Sequence, residues 1–360
     1  MQHTRHAYGC FGSYAQIERV FYARQFFRMK PFSKPAIDIP AHLALLKQRG
    51  LTIQDEAKAH CFLEAVSFFR LTPYMRPFQL SEDADHGFKP GTRLQALTRL
   101  YDFDRRLRLL VMDAIERIEV AARAVISNHM GPQYGSHWYL EPRFFQRSYR
   151  HQALLDSIRI KQEKALQDYL RECERIDASL ASDARKEQLK SLRAKENYAR
   201  HYALTYNTPE LMPAWAAMEE ITLGDLSHLF KGLARDADKK AIAKRLKLPA
   251  PLMQSWLHTL TTIRNICAHH ARLWNRELGI RPELPKTVNF PWPQHLQQPG
   301  QHARLFTVLC ILNLLMRQVS PHTSWDRRLH DLLAEFPETN LRAMGFPSDW
   351  QNDPFWQTPD

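Results

Sequence analysis

Glycine is scarce in this chain, with 12 in 360 residues. No glycine-rich phosphate loop, GxSxG elbow or HExxH helix is present. The chemistries that depend on those frames are therefore excluded. Cysteine is equally sparse. Cys10, Cys61, Cys173, Cys267 and Cys310 are scattered, odd in number and contain no CxxC pair. That argues against a disulfide framework or a cysteine zinc site and fits a reducing compartment. No apolar run approaches the ~20 residues a membrane helix needs. The first residues carry basic charge but no apolar secretion core, so a cytoplasmic protein without a membrane anchor is expected. Strand signals are nearly missing, apart from a weak TVNF at 287–290. Fixed-period repeats and low-complexity tracts are missing too.

What is there is apolar and basic. Hydrophobic residues make up 44% of the chain, enough for a sizeable core. Lys and Arg number 50 against 38 Asp and Glu, a net charge of +12. An excess of that size favours a polyanionic partner, nucleic acid before an acidic membrane face.

The organisation reads as all-α. Residues 1–28, with an irregular FYARQFFRM, read either as an upstream extension or as an ordinary N-terminal helix. A Pro-rich lead and a short helix stopping at Gly50 come next. Residues 54–69 are expected to be helical, with breaks at Pro73 and Pro77. From Thr92, apolar residues recur every three or four positions through Leu100, Phe103, Leu107, Val111, Ile115 and Ala122. The helix they define is expected to end near His129, with a solvated face holding Asp104, Arg105, Arg108, Asp113 and Arg117. Residues 151–203 read as charged helices with a hairpin near 178–183. The chain turns apolar again at Pro209. Residues 252–273 and 302–319 read as helices, the second buried on all sides. The expected division is 29–205, 206–325 and a tail at 326–360.

The segment RNICAHHARLWNR, starting at Arg264, concentrates the chemistry. Asn265 and His269 lie one turn apart on one helix face, while Arg264 sits five residues before His269, well round the axis, so that its side chain must curl toward the same cleft or the helix must end or distort near Ala268. A guanidinium grips phosphate through a bidentate fork, and an imidazole takes and gives protons near neutral pH. Metal-free phosphodiester cleavage needs those two together. Arg272 follows His269 by three and could add a phosphate contact. The competing reading is structural: a buried Arg–Asn–His cluster tying helices together, with Arg264 paired to Glu219 or Glu220.

The same string resembles the R-x4-6-H signature of HEPN-domain ribonucleases, in the form found in the Abi-like (abortive infection, D/F type) family. The likeness spans nearly all of Lys30 to Pro285 through separated blocks in order: AVSFFRLTPYMRPF, LYDFDRRLRLLVMDAIERIEVAAR, PAWAAMEEITLGDLSHLF and SWLHTLTTIRNICAHHARLWNR. It implies an all-helical bundle with a HEPN-like C-terminal domain. The implied activity is that of an endoribonuclease toxin in phage defence, working without metal or cofactor, and two motif copies commonly meet in a homodimer or between domains. Carried over, Arg264, Asn265 and His269 are the catalytic set, with His270 and Arg272 as further candidates. RNA is the implied substrate and could also be a regulatory partner. The alternative function is a non-catalytic RNA-binding or protein-interaction module of a defence system.

Arg123 and His129, in RAVISNHMG, also satisfy R-x5-H and are a candidate second half-site; the plainer reading is a histidine offsetting a helix C-terminus. Arg70 and Arg76, flanking Tyr74, form a candidate RNA-stacking patch or a buttressed turn. Arg105 and Arg108 form a candidate RNA strip or a charge-balanced solvated face.

Overall fold

The computed structural model describes Pro31 and residues 34–81, 85–286, 290–297 and 303–357. The segment 1–28 and most of TVNF therefore lie outside the described residues. Those described form thirteen α-helices and no β-strand, only isolated bridges such as Phe145 with Leu233. The chain divides into two compact units, 1–94 and 95–360.

In the first unit, α1 (Ile39–Gln48) is capped by Asp38, whose carboxylate accepts from the Ala41 N–H at 2.9 Å. It buries Leu43 and Leu46 and leads to Gly50 at φ +88°, the expected stop. Helix α2 (Glu56–Val66) ends at Ser67, whose φ of +66° breaks the run expected to continue to residue 69. Helix α3 (Phe68–Met75) then contains Pro73 instead of breaking there. The left-handed Ser67 makes the break that the prolines were expected to make.

The second unit is built on α4 (Leu94–Tyr134), 41 residues long. Its three-and-four stripe is buried as the pattern requires: Phe103, Leu107, Val111, Ile115 and Ala122 are at most 1% exposed. The helix continues past Gly131–Pro132 to Tyr134, and the left-handed stop is Gly135 at φ +94°. A charged hairpin comes next. Helix α5 (His151–Asp177) turns into α6 (Asp183–Lys195) at 178–182, as expected. In the next helix, α7 (Tyr198–Thr205), Arg200 reaches Glu172 of α5 at 3.2 Å. Two short helices, α8 (Ala214–Glu220) and α9 (Leu223–Gly232), and α10 (Asp236–Arg245) lead to α11 (Ala250–Ala268). Helix α12 (Leu305–Val319) is buried over nearly its whole circumference.

Two expectations change here. The described part of the expected tail, 326–357, is packed: α13 (Trp325–Glu335) and the turns after it carry buried Trp325, Phe336, Trp350 and Trp356. The Trp325 indole donates to the Leu110 carbonyl at 2.9 Å. The charged face of α4 is correspondingly not all solvated. Arg99 pairs with Glu338 at 2.5 Å, Arg106 with Glu335 and Asp113 with Arg328. A mixed-charge face looks the same in sequence whether water or complementary charge covers it.

Candidate active site

Helix α11 presents Trp256, Leu257, Leu260, Ile263 and Cys267 to the core. Burial pushes the Cys267 thiol up to about 12, which removes it as a nucleophile. The opposite face carries His258, Asn265 and His269, all exposed, with Thr261 and Thr262 half-buried among them. Arg264 is half-buried, and its Nη1 donates to the Asn265 Oδ1 at 3.4 Å.

The helix ends inside the motif at Ala268, five residues short of Leu273 and at the point the spacing of Arg264 and His269 offered for a helix end. His269 closes the ladder, its N–H donating to the Asn265 carbonyl at 3.0 Å. His270 takes a left-handed φ of +55°, and its N–H bonds the Cys267 carbonyl while that of Ala271 bonds Ile266, each at 2.9 Å. This pair of bonds is a Schellman stop with histidine where glycine usually sits. Histidine is among the few side chains that tolerate the conformation.

The loop beyond the stop is anchored from α4. Asp104, fully buried, accepts from the backbone N–H of Leu273 at 3.2 Å and of Trp274 at 2.5 Å. It also pairs with Arg108, one turn along and 5% exposed. Leu273 and Trp274 are themselves buried. The motif thus hangs between its own helix and a loop clamped by a carboxylate. By pattern Asp104 belongs with the solvated charges of α4; its i,i+4 spacing to Arg108 is the one signal in the sequence that points the other way.

The structure brings Arg264, Asn265 and His269 to one exposed helix end. Among the described residues, Arg264 forms no ion pair, neither with Glu219 nor with Glu220, and the His269 imidazole has no hydrogen-bond partner. Arg272 lies half-buried beyond the turn, its carbonyl accepting from Arg276 at 3.4 Å. The other candidates sit differently. Arg123 is 7% exposed and bonded to Glu119 and the Met218 carbonyl. His129 is 8% exposed and bonded to Asp238 at 2.9 Å. Both buried side chains tie α4 to α8 and α10, so the second half-site reading is corrected to a structural one. Arg108 is likewise corrected: its guanidinium is sealed against Asp104, because the loop after the motif covers that part of α4. Arg105 is exposed and paired with Asp102 at 3.0 Å. In the first unit Arg70 and Arg76 are exposed, whereas Tyr74 is 2% exposed and cannot stack on a base.

Among the described residues no cluster of three or more His, Cys, Asp or Glu could hold a metal ion, and no helix is long and apolar enough to cross a membrane. A family model described as Abi-like protein matches residues 61–275, more than half the chain and including the whole of α4 and α11. Neither the curated proteins nor the solved structures give a match.

Proposed function

The chain belongs to the Abi-like protein family, and from that premise we propose that it is a metal-independent endoribonuclease of HEPN type, acting in abortive-infection defence. The observation that carries the reading is the state of the motif: Arg264, Asn265 and His269 share one solvent-reachable helix end, and neither the guanidinium nor the imidazole is neutralised by a protein partner among the described residues. A purely structural cluster would have spent those groups on neighbours, as Arg123 and His129 do.

In this reading His269 removes the proton from a ribose 2′-hydroxyl, whose oxygen attacks the adjacent phosphorus. The P–O5′ bond breaks, and the leaving oxygen takes a proton from a general acid. Arg264 donates to the non-bridging oxygens, where negative charge accumulates. Asn265, held by Arg264, contacts phosphate or fixes the pair. The products are a 2′,3′-cyclic phosphate and a 5′-hydroxyl. His269 is favoured over His270 because it stays on the helical ladder one turn after Asn265, while His270 is committed to the turn. One motif supplies one such imidazole, so the acid comes from His269 of a second copy, and the active species is a homodimer. RNA is the substrate.

Purified protein is expected to cut RNA in EDTA, at a rate per molecule that falls on dilution below the dimer constant. Arg264→Ala and His269→Ala are each expected to reduce the rate at least ~100-fold, the low end for loss of an acid–base group, with unchanged thermal unfolding. Sequencing of 5′-hydroxyl ends after induced expression reads the same event in cells. Cleavage that needs added divalent ion, or survives His269→Ala, would overturn the assignment.

A further inference from the structure

Outside the motif, the described residues enclose a cavity of about 490 Å³ between the start of α5 and the end of α9. Its walls include Tyr149, Arg150, Asp225, His228, Lys231 and Gly232. The chain is shaped to leave it open. The segment before α5 pairs with the end of α9, the Gln146 N–H donating to the Gly232 carbonyl at 2.8 Å and the Ala234 N–H to Phe144 at 2.9 Å. That pairing lays the Tyr149 ring across Gly232, where a Cβ would collide with the ring.

Several Lys and Arg side chains of the neighbouring α5–α7 region are ion-paired, as with Lys190 to Asp177 at 2.8 Å and Arg193 to Glu196 at 2.7 Å. Arg150 and Lys231 are exposed and have no carboxylate within salt-bridge distance among the described residues. The one acid in the wall, Asp225, is already engaged. It accepts from the Thr222 backbone at 3.1 Å and hydroxyl at 2.8 Å, in the capping box that starts α9. Two cations thus line the cavity with a single carboxylate, itself committed to the capping box of α9.

The cavity wall also adjoins α11. His228 on its wall meets His258 of α11, ring centroids 6.2 Å apart, and the Lys231 charge bears on His258 as well. His258 shares the exposed face of α11 with Asn265 and His269. From His258 to His269 the axis rises about 16 Å, a distance a short single strand can span.

We propose that this cavity is an RNA-strand subsite: Arg150 and Lys231 hold a backbone phosphate, so that the strand runs along α11 over His258 to the scissile linkage at His269. The inference rests on the endoribonuclease reading for its direction along the helix. Arg provides a fork and Lys a point charge, the two modes by which proteins hold phosphate. Tyr149 and Gly232 shape the cavity wall and contribute no charge.

The test is the salt dependence of binding. A fluorescent single-stranded RNA with 2′-O-methyl riboses, which cannot be cut through the 2′-oxygen, is titrated with the full-length protein across a salt series. Each lost phosphate contact is expected to flatten the plot of log K against log salt by about 0.7 for a single strand. Arg150→Ala with Lys231→Ala should flatten it by one to two such steps. Lys195→Ala, removing an exposed cation on α6, should leave it unchanged. An unchanged slope in the double variant, or an equal loss with Lys195→Ala, overturns the subsite while wild-type cleavage leaves the nuclease reading intact. The expected slope change in a protein that never cuts RNA overturns the nuclease reading and keeps the subsite. Inorganic phosphate binding to the wild type more tightly than the oligonucleotide would assign the cavity to free phosphate instead of a strand.

Discussion

At the residue scale, His270 is a side chain set by conformation, next to the one proposed for the chemistry. Its φ of +55° ends α11 and turns the chain toward the Asp104 clamp. A left-handed residue other than glycine or a short polar side chain costs roughly 1–2 kcal/mol. His270→Gly should therefore keep the turn, retain stability within about 1 kcal/mol and, under the proposed assignment of the proton transfer to His269, retain cleavage. His270→Val should lose about 1–2 kcal/mol by the same steric argument, read by urea denaturation. Loss of cleavage in a folded His270→Gly protein would transfer the catalytic role to His270.

At the element scale, α4 holds the loop after α11 through one carboxylate. Asp104 serves three donors at once: the Arg108 guanidinium and two backbone N–H groups of the loop beyond the motif. Removing one partner of a buried pair leaves the other charge uncompensated, which costs about 3–5 kcal/mol. Asp104→Ala is expected to lower the unfolding free energy by that amount and to raise hydrogen exchange at Leu273 and Trp274. A change under about 1 kcal/mol would place the pair in the class of exposed salt bridges and remove its role in holding the motif. The corresponding bonds of Arg123 and His129 join α4 to α8 and α10 and belong to the framework rather than to a site.

At the scale of the whole molecule, several histidines are held below their ordinary protonation range. Burial is the leading cause at His137, His295 and His330. The unfolded chain then binds more protons than the folded one once pH falls below about 6.5. Stability from this source is fully present above that value and declines as pH drops through it, until the folded-state values are passed. The urea midpoint should be lower at about pH 5.5 than at about pH 7.5, a window above ordinary carboxylate titration. Equal midpoints would mean that these burials carry no net proton linkage.

Much of this was legible in local pattern. The apolar stripe of α4, the charged hairpin, the buried α12 and the motif on α11 come from periodicity, and periodicity is a property of neighbours in the chain. Less legible was anything that depended on distant segments. The solvated look of Asp113 hid its pairing with Arg328, and the apparent tail carried tryptophans of the core. Arg123 and His129 matched a catalytic spacing as well as many true pairs would, and only their partners from α8 and α10 showed that they are structural. The residues themselves set which helices form and which chemistry α11 can offer. Whether a given charge meets solvent, a neighbouring carboxylate or a backbone N–H was decided by packing between elements remote in sequence, because burial and pairing depend on what covers a side chain and not on what precedes it.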